Sequence, residues 1–276
     1  MSFKTILVHC DAGKTAIGRL EVATELASRF DSTLVGLHAT PPVDIPSFAE
    51  GVDIVTFVSA YEESARATEV SSHVAFDRAV TGKALSTEWR LIDGRADDML
   101  TACSRYADLT IVGQSDGEDA ITPARLPESV ALATGRPVLV VPGSGARKPV
   151  GKVAMLCWNA SRESARAATD ALPFLKSAQK VMVLVVEPKI TGQGHGEEQG
   201  ADVATWLACH GVKVTVQRDV AADADVGDII SSRAADHDVD LIVMGLYGHS
   251  RLRETVLGGV SRTMLDTMIV PILMTH

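Results

Sequence analysis

The sequence has no apolar run near the ~18 to 20 residues that a membrane-spanning helix needs, and no Lys/Arg block or basic stripe. With a formal net charge of -9, neither a bilayer nor nucleic acid is expected as a direct partner. Cysteine is scarce: Cys10, Cys103, Cys157 and Cys209 are scattered, without a CxxC pair. That speaks against zinc and a disulfide framework and fits a reducing compartment. His195, in GQGHGEE, has no second ligand three or four residues away, so it reads as a solvated loop residue rather than part of a metal site. No GxSxG turn is present, and no His with an Asp can be tied to a serine by spacing, so hydrolase-type nucleophile chemistry has no support. AGKT at Ala12 to Thr15 invites comparison with a P-loop, but Val8 stands where that motif needs its first glycine. Lys14 and Thr15 read instead as the opening of a helix. The start, MSFKTILVHCDAG, has a short apolar run at Ile6 to Val8 with polar residues close behind. It suits a first strand better than a secretory signal, and a cytoplasmic location is expected.

What is present is a chain of 276 residues, 46% hydrophobic and 22% charged, enough for one large domain or two of ordinary size. Short apolar runs alternate with helical patterns. Strands are expected at Thr5 to His9, Ser32 to Ala39, Glu88 to Leu91, Leu109 to Val112 and Val138 to Val141. Helices are expected at Ala16 to Arg29, at Val55 to Val80 and from Ala96, where Asp97 and Asp98 suit the positive end of the helix dipole. Strands separated by helices over such distances imply crossover connections, hence a parallel sheet covered on both faces. PGSGARKPVG, Pro142 to Gly151, has no apolar period and reads as a linker.

After it the plan repeats. Val153 to Trp158 parallels Ile6 to Cys10, with Asn159 where Asp11 stood; Glu163 to Leu175 is the helix, and KVMVLVVEP from Lys180 parallels TLVGLHATP from Thr33. Ala201 to Cys209 is a shorter second helix and Val214 to Gln217 a third strand. Asp228, Ile229, Ile230 and Ala234 match Asp98, Met99, Leu100 and Ser104 at an offset of 130 (228 minus 98), and Asp240 and Gly245 match Asp108 and Gly113 at 132 (240 minus 108). The expected architecture is α/β, with two tandem domains, 1–143 and 152–276, joined by a linker at 144–151. Each would be an open five-stranded parallel sheet with helices on both faces.

The stretch Leu241 to Met274 carries the chemistry. A buried strand, Leu241 to Met244, ends at Gly245; Gly248, Gly258 and Gly259 follow; Val260, Met264 and Met268 then recur every four positions as one face of a helix, which Pro271 stops. A strand, a glycine-bearing loop and a helix N-terminus can cradle phosphate, because free N–H groups and the positive dipole end converge on the loop.

Glycine, two residues, glycine, nine residues, glycine, at Gly245, Gly248 and Gly258, resembles the nucleotide-binding motif of the universal stress protein family. DLIVMG before it, VPILM after it and the duplication extend the likeness to nearly the whole chain. The resemblance implies a tandem, Rossmann-like (adenine nucleotide alpha hydrolase-like) protein of stress resistance or signalling. It would act through ligand-dependent protein contacts, with at most slow ATP hydrolysis, for which only His249 is a candidate base. The implied ligand is ATP, another adenine nucleotide or a similar small anion. Adenine would lie near Val185 and Val186, with ribose and phosphates facing Asn159, Ala160, Met244, Gly245, Gly248, His249, Gly258, Gly259, Val260 and Ser261.

Two departures stand out: Gly259 replaces the hydroxyl residue that follows the third glycine in ATP-binding members, with Ser261 the next hydroxyl, and Asn159 replaces an aspartate. A lost hydroxyl removes one hydrogen bond, roughly 0.5 to 1.5 kcal/mol net. An amide has no charge with which to hold magnesium. In the first half Gly113 leads to Asp116, Gly117, Glu118 and Asp119, and ITPARLPES replaces the later glycines. No nucleotide is expected there, since those charges oppose phosphate. The duplication implies an intramolecular pseudo-dimer, with Val138 to Val141 and Ile272 to Met274 near its junction, and leaves a further homodimer open.

Overall fold

A computed structural model of the chain describes residues 2–43, 54–115, 125–146, 149–186, 200–221, 224–246 and 259–276. Its first half runs β1 (Thr5–His9), α1 (Ala16–Phe30), β2 (Thr33–Thr40), α2 (Ile54–Val80), β3 (Ser86–Asp93), α3 (Ala96–Ser104), β4 (Leu109–Gly113), α4 (Leu126–Thr134) and β5 (Val138–Val141). The second half runs β6 (Val153–Cys157), α5 (Arg162–Asp170), α6 (Leu172–Ser177), β7 (Lys180–Val186), α7 (Ala201–Cys209), β8 (Val214–Asp219), α8 (Val226–Asp236), β9 (Leu241–Gly245), α9 (Gly259–Thr267) and β10 (Ile272–Thr275).

All ten strands join one sheet in the order β3-β2-β1-β4-β5-β10-β9-β6-β7-β8. Neighbours are parallel except at the centre, where β5 and β10 run antiparallel, Val140 opposite Ile272 and Val138 opposite Met274. The inner strands are apolar on both sides because both faces are covered. One core lies beneath α1, α2, α5, α6 and α7, and the other beneath α3, α4, α8 and α9. Phe3 and Phe30 of the first half meet Phe174 of the second at centroid distances of 5.3 and 5.5 Å. Gln114, just past β4, donates from Nε2 to the Leu265 carbonyl of α9 at 2.8 Å.

The repeat is also visible in hydrogen bonds. The first amides of a central strand need acceptors, and one carboxylate supplies them in each half. Asp108 accepts from the N–H groups of Lys4 (2.7 Å) and Thr5 (3.0 Å), and Asp240 from those of Gly151 (2.7 Å) and Val153 (3.2 Å). Gly151 thus anchors the end of the expected linker, and its neighbour Val150 is fully buried.

Proline placement accounts for two differences from the sequence reading. ITPARLPES, with its two prolines, gives no helical signal in the sequence, yet α4 begins within it, with Pro127 at a first-turn position where no N–H donor is needed. The single helix expected from Glu163 to Leu175 is two, α5 and α6, divided at Ala171 just before Pro173. A third difference concerns α9, whose buried face is Ser261, Met264 and Leu265, with Val260 half-buried. It ends at Thr267, four residues short of Pro271, so Met268 is buried beyond the helix. No helix among the described residues is long and apolar enough to cross a membrane.

Candidate functional site

Each half has a point where the strand order reverses. The chain leaves β1 toward β2 on one side and returns as β4 on the other, and β6, β7 and β9 repeat this. In open α/β sheets such points leave a crevice beyond the carboxyl ends of the strands, where ligands bind. Strand registers make the two crevices comparable: Ile6 pairs with Leu109 as Ala154 pairs with Leu241. The β1–α1 region therefore matches β6–α5 at a spacing of 148 residues (154 minus 6).

In the second half, Asn159 and Ala160 form the turn from β6 into α5. Asn159 Oδ1 accepts from the Ser161 N–H at 3.2 Å, and Ala160 has a left-handed φ of 59°. Ser161 caps α5, its Oγ accepting from the Ser164 N–H at 3.1 Å. The end of β9 presses on this helix start: a Cβ at Gly245 would lie 2.6 Å from the Glu163 carbonyl carbon and 2.7 Å from the Ser164 nitrogen. Close approach of main chains thus requires glycine at Gly245, before any ligand is considered.

The remaining candidates fall into two groups. The β6–β7 ladder ends with the Trp158 N–H donating to the Leu184 carbonyl at 2.9 Å, and Val185 and Val186 lie just past it. The side chains of Val185 and Met244 are buried in opposite cores, which leaves only main-chain atoms to face the crevice. Gly259 opens α9 with no atom of the described residues within 4 Å of where its Cβ would be, while Ser261 is 5% exposed and turned inward. Gly248, His249 and Gly258 lie outside the described residues, as do Asp116, Gly117, Glu118, Asp119, His195 and Arg251.

In the first half the equivalent space holds three ionisable side chains. Arg19 lies on the buried face of α1 and is 2% exposed. Its Nε donates to the His9 carbonyl at 2.8 Å, its Nη2 is 2.8 Å from Asp11 Oδ2, and its Nη1 occupies the place where a Cβ on Gly113 would go. Asp11 Oδ1 accepts from the Gly13 N–H at 3.0 Å, repeating the Asn159 turn, and Asp11 Oδ2 lies 3.3 Å from Nδ1 of His9. Neither Arg19 Nη2 nor His9 Nδ1 has hydrogen-bond geometry, so the Arg19 contact with Asp11 is charge pairing rather than directional bonding, and the His9 contact is the close approach of a buried ring. Burial alone would raise the Asp11 carboxyl, but the Arg19 charge beside it, then His9 and the Gly13 N–H bond, hold it down at about 2. Burial outweighs the pull of Asp11 on His9 and lowers it to about 4, so the imidazole is neutral near neutral pH.

Sequence reasoning noted Asp11 but missed Arg19 and His9. The available signal was a charged residue inside the apolar stripe Ala16, Leu20, Ala23 and Leu26, opposite Ala167 in the repeat. A separate cavity of about 650 Å³, lined among others by Tyr61, Arg66, Leu91 and Asp93, opens between α2 and the ends of β2 and β3, on the other side of β2 from the crevice.

Residues 155–276 match the universal stress protein family. A universal stress protein from Archaeoglobus fulgidus DSM 4304 is 15% identical and superposes over 98% of this chain and 95% of its own, with a TM-score of 0.73. A functionally unknown protein from Pseudomonas aeruginosa PAO1 is 14% identical, covers 99% of this chain and 92% of its own, and has a TM-score of 0.58. At such identities the likeness is one of fold. No curated protein matches the sequence.

Proposed function

We propose, from the match of residues 155–276 to the universal stress protein family, that the chain is a tandem, stress-response nucleotide-binding module of that family. On this reading, units at 1–143 and 152–276 are joined by 144–151, and the one ligand site is the crevice between β6 and β9. It answers an adenine nucleotide by changing its contacts with protein partners, in the cytoplasm.

The carrying observation is the exchange of side chains between the crevices. His9, Asp11 and Arg19 fill the first with charge, whereas Cys157, Asn159 and Ala167 stand at the matching places in the second. Ala167 sets no guanidinium against the second crevice, where Arg19 sets one against the first. Adenine would lie beside the main chain of Val185 and Val186. Ribose and phosphates would face Asn159, Ala160, Gly245 and the start of α9 at Gly259, Val260 and Ser261, together with Met244 main chain, Gly248, His249 and Gly258. Among the described residues nothing crowds Gly259, which fits an anion at a helix N-terminus. Asn159 offers no charge, so magnesium would be held by the nucleotide rather than by the protein.

Thermal unfolding tests this directly. A ligand that binds only the folded state at a hundred times its Kd adds about 2.7 kcal/mol, so the midpoint rises with ATP concentration, to a similar extent in EDTA. A flat response at millimolar ATP, with and without magnesium, overturns the proposal. Gly248→Val and Gly258→Val should remove the rise while leaving the ligand-free midpoint in place. A second reading, a ligand-free scaffold that keeps the fold, is favoured by Gly245, whose smallness main-chain packing against Glu163 and Ser164 already explains.

A further inference from the structure

The sheet has two ends, β3 and β8, and no described strand covers the outer edge of either. β3 is eight residues long and pairs with β2 along its whole length, from Ser86 opposite Thr33 to Asp93 opposite Thr40. The Gly94 N–H donates to the Thr40 carbonyl at 2.8 Å, which fixes the alternation. Even-numbered residues of β3 turn their N–H and C=O toward β2, so Thr87, Trp89, Leu91 and Asp93 turn theirs outward. A long regular edge of this kind is a template for another strand. Leu91, 47% exposed, sits on it.

The side chains make the edge complementary to itself. Glu88 and Arg90 are two residues apart, hence on one face, with Arg90 Nε 2.7 Å from Glu88 Oε1. Trp89 between them turns to the other face, stacked on His73 with centroids 4.5 Å apart. An antiparallel partner related by a two-fold axis at Trp89 places Glu88 of each copy opposite Arg90 of the other, and Thr87 opposite Leu91. Trp89 then faces its own counterpart as a hydrogen-bonded pair, using the main-chain groups already turned outward. β8 has no such symmetry: Thr215, Gln217 and Asp219 share one face and Val214, Val216 and Arg218 the other, and Asp219 is held by Arg233 at 2.7 Å. The molecule already extends its sheet once by antiparallel pairing, at β5 and β10.

We propose that two copies of the chain associate through antiparallel pairing of their β3 edges about a two-fold axis at Trp89, exchanging the Glu88–Arg90 ion pairs across the contact. Sedimentation velocity on the full chain, from low micromolar to sub-millimolar concentration, should show the 29.2 kDa species giving way to one of twice that mass. Leu91→Pro removes an outward N–H and leaves the bonds to β2, so it should weaken association at least tenfold without lowering the thermal midpoint of the monomer. Glu88→Arg sets like charges opposite each other and should also weaken it, and the double variant Glu88→Arg/Arg90→Glu should restore it. A chain that stays monomeric throughout overturns the proposal, as does a dimer that both single variants leave intact. Loss with Leu91→Pro but not with Glu88→Arg overturns the Trp89 register.

Discussion

The crevice between β1 and β4 and the crevice between β6 and β9 are built on the same main chain and furnished differently. Both have a turn accepting a main-chain N–H, through Asp11 or Asn159, and both have a glycine, Gly113 or Gly245, where the neighbouring strand meets the helix start. Both hang on an aspartate that staples the first strand. What differs is the helix residue one turn in. Arg19 makes the first crevice a closed cluster of charge, and Ala167 leaves the second without one. The lesson is that backbone and staples carry the fold in both halves, while three side chains set the charge that each crevice holds.

The comparison breaks most severely at Arg19. Arg19→Ala leaves the half-buried Asp11 without its counter-ion, and should cost on the order of 3 kcal/mol in denaturant unfolding. Adding Asp11→Asn, which gives the first half the residues of the second, should recover most of that loss. If the single variant is as stable as the parent, Arg19 does not close the crevice.

Next comes pH. His9 is held at about 4 against an ordinary 6.5, so between those values the unfolded chain binds a proton that the fold refuses. Stability should therefore fall as pH drops from 6.5 to about 4, by on the order of 3 kcal/mol, and His9→Gln should flatten that slope. Asp11, held at about 2 against 3.8, contributes stability that is full above 3.8 and lost as pH falls toward 2. The second crevice, with Cys157 and Asn159, has neither group.

Smaller effects sharpen the contrast. Gly245→Ala forces a methyl into the first turn of α5 and should cost about 1 to 3 kcal/mol, whereas Gly259→Ala meets no atom of the described residues. The latter should leave stability unchanged or raise it by roughly 0.5 to 1 kcal/mol, through the better helix former, while weakening any nucleotide-dependent rise in the midpoint. Asp108→Ala and Asp240→Ala should each cost about 1 to 3 kcal/mol, through main-chain donors left without an acceptor. Unequal losses would show that the two staples are not equivalent.

Apolar runs such as Leu109 to Val112 and Leu241 to Met244 could be read as strands because they are buried on both sides, and the duplicated Asp108 and Asp240 tied the two halves together. The junction of β5 and β10 was also legible, since both segments end their halves. Helix boundaries near proline were not, because Pro127 opens a helix and Pro173 divides one, and sequence alone does not say which. At the site, Asn159 and Gly245 could be named from pattern. The neighbours that press on Gly245 come from a helix more than seventy residues earlier, so its packing role was invisible. Arg19 was hidden for a related reason: a long cation within an apolar stripe looks like a snorkelling surface residue until its carboxylate partner is placed beneath it.

The antiparallel seam at Ile272–Thr275 has a consequence for how such a molecule can diverge. Where two separate identical chains meet along that edge, every substitution is written into both crevices at once. Fused in a single polypeptide, with Phe174 wedged against Phe3 and Phe30 beside the seam, the crevices inherit independently. One could acquire an internal counter-ion without the other losing its opening.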